Sequence, residues 1–157
     1  MRTLVVFLTF ASAALLSAHH SLGNHDTTKA VRVKGTILQY HAINPHSIIY
    51  LEEKGTEGQI RRWAIEGPSV LQINRDARGK NVLKPGIVIE ACGYLPKEAI
   101  VWQIPNPDPN AASIAGRLLT AEVLTLPDGT LQQWGDYGFH KCYPPGFTDQ
   151  HSPRSGQ

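Results

Sequence analysis

The chain is short of net charge, of cysteine and of long hydrophobic runs. Its 157 residues carry 15 basic and 13 acidic side chains, a formal charge of +2. A highly basic nucleic-acid tail is therefore excluded, and the length argues for one domain rather than a multidomain machine. Two cysteines without a C-x-x-C pair exclude a dithiol redox motif. No H-E-x-x-H or comparable ligand spacing occurs, and there is no internal repeat. The apolar stretch after Arg2, Leu4 to Leu16, is 13 residues long, whereas a helix needs about 20 to cross a bilayer core. What the chain does have is 41% hydrophobic residues, enough for a packed core, with 14 Gly and 11 Pro. That balance predicts a compact, turn-rich, β-dominated protein.

Arg2 followed by Leu4 to Leu16 has the form of a charged n-region and an apolar h-region, so residues 1–18 are expected to be a signal peptide. Leu16-Ser17-Ala18 offers a cleavage site, after which the mature chain begins His19-His20-Ser21. No Cys follows the h-region, so no lipid anchor is expected at the new N-terminus, and no membrane span is expected after cleavage. Residues 19–29 read as an extended lead-in, 30–134 as the folded domain and 135–157 as a partly disordered tail. The expected location is periplasmic or secreted. Export bears on Cys92 and Cys142, because an oxidising compartment lets such a pair close a disulfide. The alternative is two thiols, with Cys92 packed in a strand.

Val31, Val33, Gly35 and Ile37 alternate with Arg32, Lys34, Thr36 and Leu38, the period of a half-buried strand, and Gly35 marks a bend or bulge. Asn44-Pro45 breaks it. Ser47 to Leu51 and Gln59 to Ile65 then read as a hairpin pair around the Lys54 to Gly58 turn. Val70, Leu71 and Ile73 fit a helical face, with Pro68 suited to the first turn and Gly79 to the stop. Ile87 to Tyr94 is the fourth strand and Arg117 to Leu126 the fifth, with a short sixth stretch through Trp134. The prolines at 96, 105, 107 and 109 predict an irregular segment between them, its Ile100, Val101, Trp102 and Ile104 docking on the barrel.

Five strands with a helix between the third and fourth is the order of a small OB-like barrel, with a β-sandwich as the alternative. Fold analogy does not establish function. The balanced charge and the low aromatic content lack the basic stripe and stacking platform of a nucleic-acid binder, so no nucleic-acid partner is expected.

The succession Ala18-His19-His20-Ser21, Val33-Lys34-Gly35-Thr36, Asn44-Pro45-His46-Ser47, Trp63-Ala64-Ile65-Glu66-Gly67, Leu83-Lys84-Pro85-Gly86, Gly93-Tyr94 and Leu126-Pro127-Asp128-Gly129 resembles the DUF6152 family of small exported bacterial proteins. The resemblance runs from about Ala18 to Gly129, and the order of the motifs is what makes it specific. It implies a compartment and a β-barrel and no reaction. The chain departs from it in the Pro-rich stretch from Gln103 to Asn110 and in the cysteine-containing tail beyond Trp134.

His19, His20, His25, His41 and His46 fall in the first third of the mature chain. Imidazole suits copper, zinc and nickel, and an N-terminal His adds its α-amine to its ring. Cleavage one residue earlier leaves Ala18-His19-His20, a third-position histidine chelator, and either product favours Cu(II) over Zn(II). His46, beside the Asn44-Pro45 turn, is the expected further ligand, and Glu66 is expected as a ligand or as the partner that orients an imidazole. Against this stand a solvated His-His start that binds metal adventitiously and a His46 that merely caps its turn. Ser21, His25 and Asp26 lie in one short segment without a scaffold and make no nucleophilic triad.

Trp63 and Trp102 are candidates for a ligand or partner surface. Each has a packing alternative, Trp63 as a core aromatic and Trp102 across the barrel mouth, while Glu66 has the alternative of complementing the helix N-terminus. Tyr137, Phe139, Tyr143 and Phe147 are expected to cover a sheet edge, held there by a Cys92–Cys142 bond. The leading expectation is an exported OB-like binding protein, with no enzyme activity implied, holding Cu(II) through His19, His20 and His46. The second is a module that binds a small ligand or a periplasmic protein, with incidental histidines.

Overall fold

The computed structural model describes residues 22–75, 82–104, 114–135 and 141–145. The expected signal peptide, His19, His20, the expected Gly79 stop, the prolines at 105, 107 and 109, and Tyr137, Phe139 and Phe147 lie outside the described residues. A 3-10 turn, Leu22–Asn24, precedes β1 (Val31–His41), β2 (Ile48–Lys54), β3 (Ile60–Glu66), α1 (Val70–Arg75), β4 (Val88–Tyr94), β5 (Val101–Ile104), β6 (Ile114–Thr125) and β7 (Leu131–Gln133). Antiparallel pairing runs β3-β2-β1-β4-β6, and a parallel β3–β6 pairing closes the ring. This is a five-stranded OB-like barrel with its helix between β3 and β4, as the strand order implied. β6 carries two extra partners, β5 along its start and β7 along its end. Among the described residues, no helix is long and apolar enough to cross a membrane.

The period-2 pattern sends Val33, Ile37, Ile49, Leu51, Trp63, Ile65, Ile89, Ala91, Leu119 and Ala121 into the barrel, with Ile73 of α1 and Trp134 completing the core. β2 is buried on both faces. Ile48 and Tyr50 point outward and join Ala64 and Leu118 in a second apolar cluster, on which Leu38 and Trp102 pack. Burying apolar surface on both sides of one strand explains why Ile48 to Leu51 reads as an uninterrupted apolar run rather than an alternation.

The structure corrects two local expectations. The segment containing Trp102 is a strand, pairing Val101–Ile104 with Ile114–Arg117, rather than irregular. An edge strand needs ladder bonds on one side only, so flanking prolines do not prevent it. The β1 irregularity falls between Ile37 and Gln39, past Gly35. Gly35 serves close approach instead: a Cβ there would lie 2.6 Å from the Glu52 carbonyl oxygen. Just beyond it, at Thr36, β1 pairs with both β4 and β2.

Cys92 and Cys142 are joined in a disulfide. They pack with Val123, and Tyr143 covers them in part. Arg32 Nη2 donates to the Cys142 carbonyl at 2.9 Å, and Lys141 Nζ donates to the Thr27 and Thr28 carbonyls, each at 2.8 Å. The tail is thereby tied to the N-terminal lead-in.

A candidate histidine and carboxylate site at the barrel end

Register builds this site. Glu66 ends β3, where it pairs with Ile48 of β2 on one side and with Thr120 of β6 on the other. His46 lies two residues before the start of β2, directly after the cis Asn44-Pro45 bond. Its turn is tied to the Glu66 strand end by Ser47 N donating to Pro68 O and Gly67 N donating to Ser47 O, both at 2.9 Å. Residues 20 apart in the chain are therefore neighbours because two strands share a register.

His46 Nδ1 lies 3.3 Å from the Gly67 carbonyl and 3.6 Å from Glu66 Oε1. A carbonyl only accepts, so the hydrogen bond requires the proton on Nδ1 and places the ring's lone pair on Nε2. The side chains are 37% and 23% exposed, so the pair sits at the rim rather than in the core. The other Glu66 oxygen, Oε2, accepts from Thr120 Oγ1 at 2.9 Å, and that hydroxyl is also 2.9 Å from His25 Nε2. One carboxylate thus serves His46 directly and His25 through a threonine. Burial holds the His25 imidazole below the ordinary histidine range, with the Glu66 charge pulling the other way.

The structure brings His46 and Glu66 within 3.6 Å of each other. Of the other expected ligands, His19 and His20 lie outside the described residues. Among the described residues, no group of three or more His, Cys, Asp or Glu side chains is placed to hold a metal ion. Trp63 is 3% exposed and packs in the main core, so the surface role considered for it is corrected to the structural one. Its Nε1 donates to Glu53 Oε2 at 2.9 Å, and the Arg117 guanidinium lies 5.1 Å from its ring centroid. Trp102 is half-buried on the outer cluster, between exposed Val101 and the rest of β5.

Thr120 and His25 escaped the sequence reading as site residues. Thr120 had one signal, a lone hydroxyl within Leu118-Leu119-Thr120-Ala121, and it is 4% exposed. His25 stood in the N-terminal histidine cluster without a role of its own, because its contact with β6 spans 95 residues of chain.

Solved chains resemble this barrel. The mitochondrial single-stranded DNA-binding protein Rim1 of S. cerevisiae is 13% identical, with 69% of this chain and 98% of that chain covered and a TM-score of 0.41. The small single-stranded DNA-binding protein of Streptomyces coelicolor is 10% identical over 62% of this chain and 93% of that one, with a TM-score of 0.35. The expectation that nucleic acid is no partner is corrected here: the solved chains to which this one is similar are named for binding single-stranded DNA. Net charge and aromatic counts are sums over the chain and do not describe the local field of one barrel face. At these identities and TM-scores the likeness assigns no activity, and the barrel itself rests on the strand pairing. No curated protein matches the chain. A family model matches residues 7–101, well over half the chain, and the protein belongs to DUF6152, a family of unknown function.

Proposed function

We propose that the protein is an exported, non-catalytic binding protein that holds Cu(II), and less tightly Zn(II), through His19, His20 and His46. The observation that carries this reading is the Glu66 carboxylate beside His46 Nδ1, 3.6 Å away, at the barrel end where the N-terminal segment joins through His25. Metal-ligating histidines commonly donate their second ring N–H to a carboxylate or a carbonyl, which fixes ring orientation and raises ligand basicity. His46 Nδ1 has the Gly67 carbonyl within hydrogen-bond reach, at 3.3 Å, and the Glu66 carboxylate beside it at 3.6 Å. His19 stands six residues before His25, a reach of at most about 20 Å for extended chain. The N-terminal amine and imidazoles can therefore approach the same rim. Copper heads the divalent series for nitrogen ligands, which favours Cu(II). The n-region and h-region support export.

The test is Cu(II) titration of the untagged chain exported by its own leader, with its mass and metal content measured first. A chain starting at His19 should bind one Cu(II). Binding should weaken in His46→Ala and in a chain lacking His19 and His20. Affinity no better than that of an unstructured His-His peptide would end the reading. A second reading, a module for a small ligand or a periplasmic protein, is favoured by one feature: Val101 and Ile100, 66% and 45% exposed, stand beside half-buried Trp102. On that reading the histidine variants bind the partner unchanged.

A further inference from the structure

The start of β3, at the far end of the strand from Glu66, carries two cations that no acid meets. Trp63 pairs with Arg117 across the parallel β3–β6 ladder, and Arg117 pairs with Val101 of β5, so the three side chains share one face. Arg61, two residues before Trp63, lies on that face as well. The Arg117 guanidinium lies over the Trp63 ring, 5.1 Å from its centroid. Glu53, the cross-strand partner of Arg61, accepts instead from Trp63 Nε1 at 2.9 Å. Among the described residues, Arg61 and Arg117 are exposed and have no ion-pair partner, whereas Arg32 is matched by Glu90 and Arg62 by Glu52. Exposed aliphatic side chains flank the two cations, Ile60 beside Arg61 and Ile100 with Val101 beside Arg117. Cα atoms of β3 and β5 come within 8 Å of each other, so these groups form one surface.

We infer that this surface docks a short segment of a partner protein in which carboxylates alternate with aliphatic side chains. The inference deepens the second reading above, that of a module for a periplasmic protein, and is independent of copper. A guanidinium is planar, weakly hydrated and presents paired donors that fit a carboxylate. Arg32 and Arg62 spend those donors within the barrel, and Arg61 and Arg117 keep theirs for a partner. Stacked on Trp63, the Arg117 guanidinium is already ordered and loses less freedom on docking than a solvated side chain. Ile60, Ile100 and Val101 leave apolar surface in water beside it, and burying that surface favours association. Charge favours a short segment over a continuous polyanion. Glu53 stands opposite Arg61, Glu57 lies in the turn before β3 and Glu98 stands two residues before Ile100. These carboxylates would repel a phosphodiester strand or an anionic bilayer laid across the surface, whereas a peptide sets its discrete acids on the arginines alone. The flanking groups are aliphatic, which suits aliphatic side chains of a peptide better than stacked bases.

The experiment is selection of short peptides from a random displayed library on the intact chain exported by its own leader, followed by titration of the selected peptides into the labelled chain with 1H–15N spectra. The selected sequences should be enriched in Asp and Glu interspersed with Val, Leu and Ile. Their binding should move the Trp63 indole N–H signal and the amides of Val101 and Arg117, and added salt should weaken it. Arg61→Gln and Arg117→Gln should each weaken binding by about 3-fold, the size of one exposed ion pair, while Lys34→Gln, an exposed cation on β1, leaves it unchanged. Circular dichroism reports whether Arg117→Gln keeps the barrel, and Arg61→Gln, outside the core, tests the same claim without disturbing the Trp63 stack. Peptides that move Val101 and Arg117 without acidic enrichment overturn the acidic chemistry and leave the second reading standing. Peptides that bind with those signals unmoved overturn the inference and put the docking surface elsewhere. A library that yields no binder overturns both the inference and the protein-partner reading. A single-stranded oligonucleotide or an anionic phospholipid vesicle that moves the same signals at lower concentration than the peptides assigns the surface to that ligand and overturns the inference.

Discussion

Cutting the Cys92–Cys142 bond, with a dithiol reductant or in the double variant Cys92→Ala with Cys142→Ala, should release the tail before it harms the barrel. The bond closes a loop of sequence separation 50, and the loop-entropy model assigns such a closure about 4 kcal/mol before native-state strain is subtracted. Spread over a domain of this size, that lowers Tm by roughly 10–15 °C. The order of events follows from what else holds each cysteine. Cys92 lies in β4, paired with β1 on one side and β6 on the other. Cys142 has its covalent bond, the Arg32 contact to its carbonyl and the neighbouring Lys141 bonds to Thr27 and Thr28. Hydrogen bonds from charged donors reach about 1.5–3 kcal/mol when shielded, but the two from Lys141 are exposed to water, which competes for them, so the covalent bond is what holds the tail. Limited trypsin digestion with mass spectrometry should show cleavage after Lys141 appearing on reduction, while the far-ultraviolet dichroism of the barrel persists at 25 °C. Unchanged cleavage after Lys141, together with a Tm shift under about 2 °C, would refute the argument that the bond tethers the tail.

Gly93→Ala should destabilise the barrel by about 3 kcal/mol, the upper part of the range for overpacking. The new Cβ would lie 2.0 Å from the Thr120 carbonyl oxygen, which is backbone and cannot rotate away. Urea unfolding checks this, and a midpoint equal to that of the parent chain would contradict it. The metal-free protein should also lose stability as pH falls. Burial holds the native His25 pKa below its ordinary value of 6.5, so below pH 6.5 the unfolded chain takes up a proton that the native state resists. The loss begins near pH 6.5 and continues down to the native pKa. Thermal melts from pH 8 to pH 5 should show it, and His25→Gln should flatten that part of the profile. An identical profile in the variant would mean that other groups carry the dependence.

The sequence by itself determined the barrel strands and the helix, because each rests on local periodicity. Val31 to Leu38 alternates, Ile48 to Leu51 is a continuous apolar run, and Pro68 and Val70 open a helix, all short-range signals that the fold keeps. It also placed His46 in a turn and Glu66 at a strand end, and it singled out the two cysteines that pair. Tertiary structure decided the rest. Val101 to Ile104 is too short and too close to prolines to read as a strand, and it becomes one because β6 offers an open edge. Trp63 could face in or out, and the closure of β3 on β6 put it in the core. The shared Glu66 carboxylate depends on two registers, Ile48 with Glu66 and Glu66 with Thr120, and on an N-terminal arm brought to β6 from 95 residues away. Periodicity reports which face a residue takes. Which residues meet across strands depends on register, and register is set by the closing of the whole barrel.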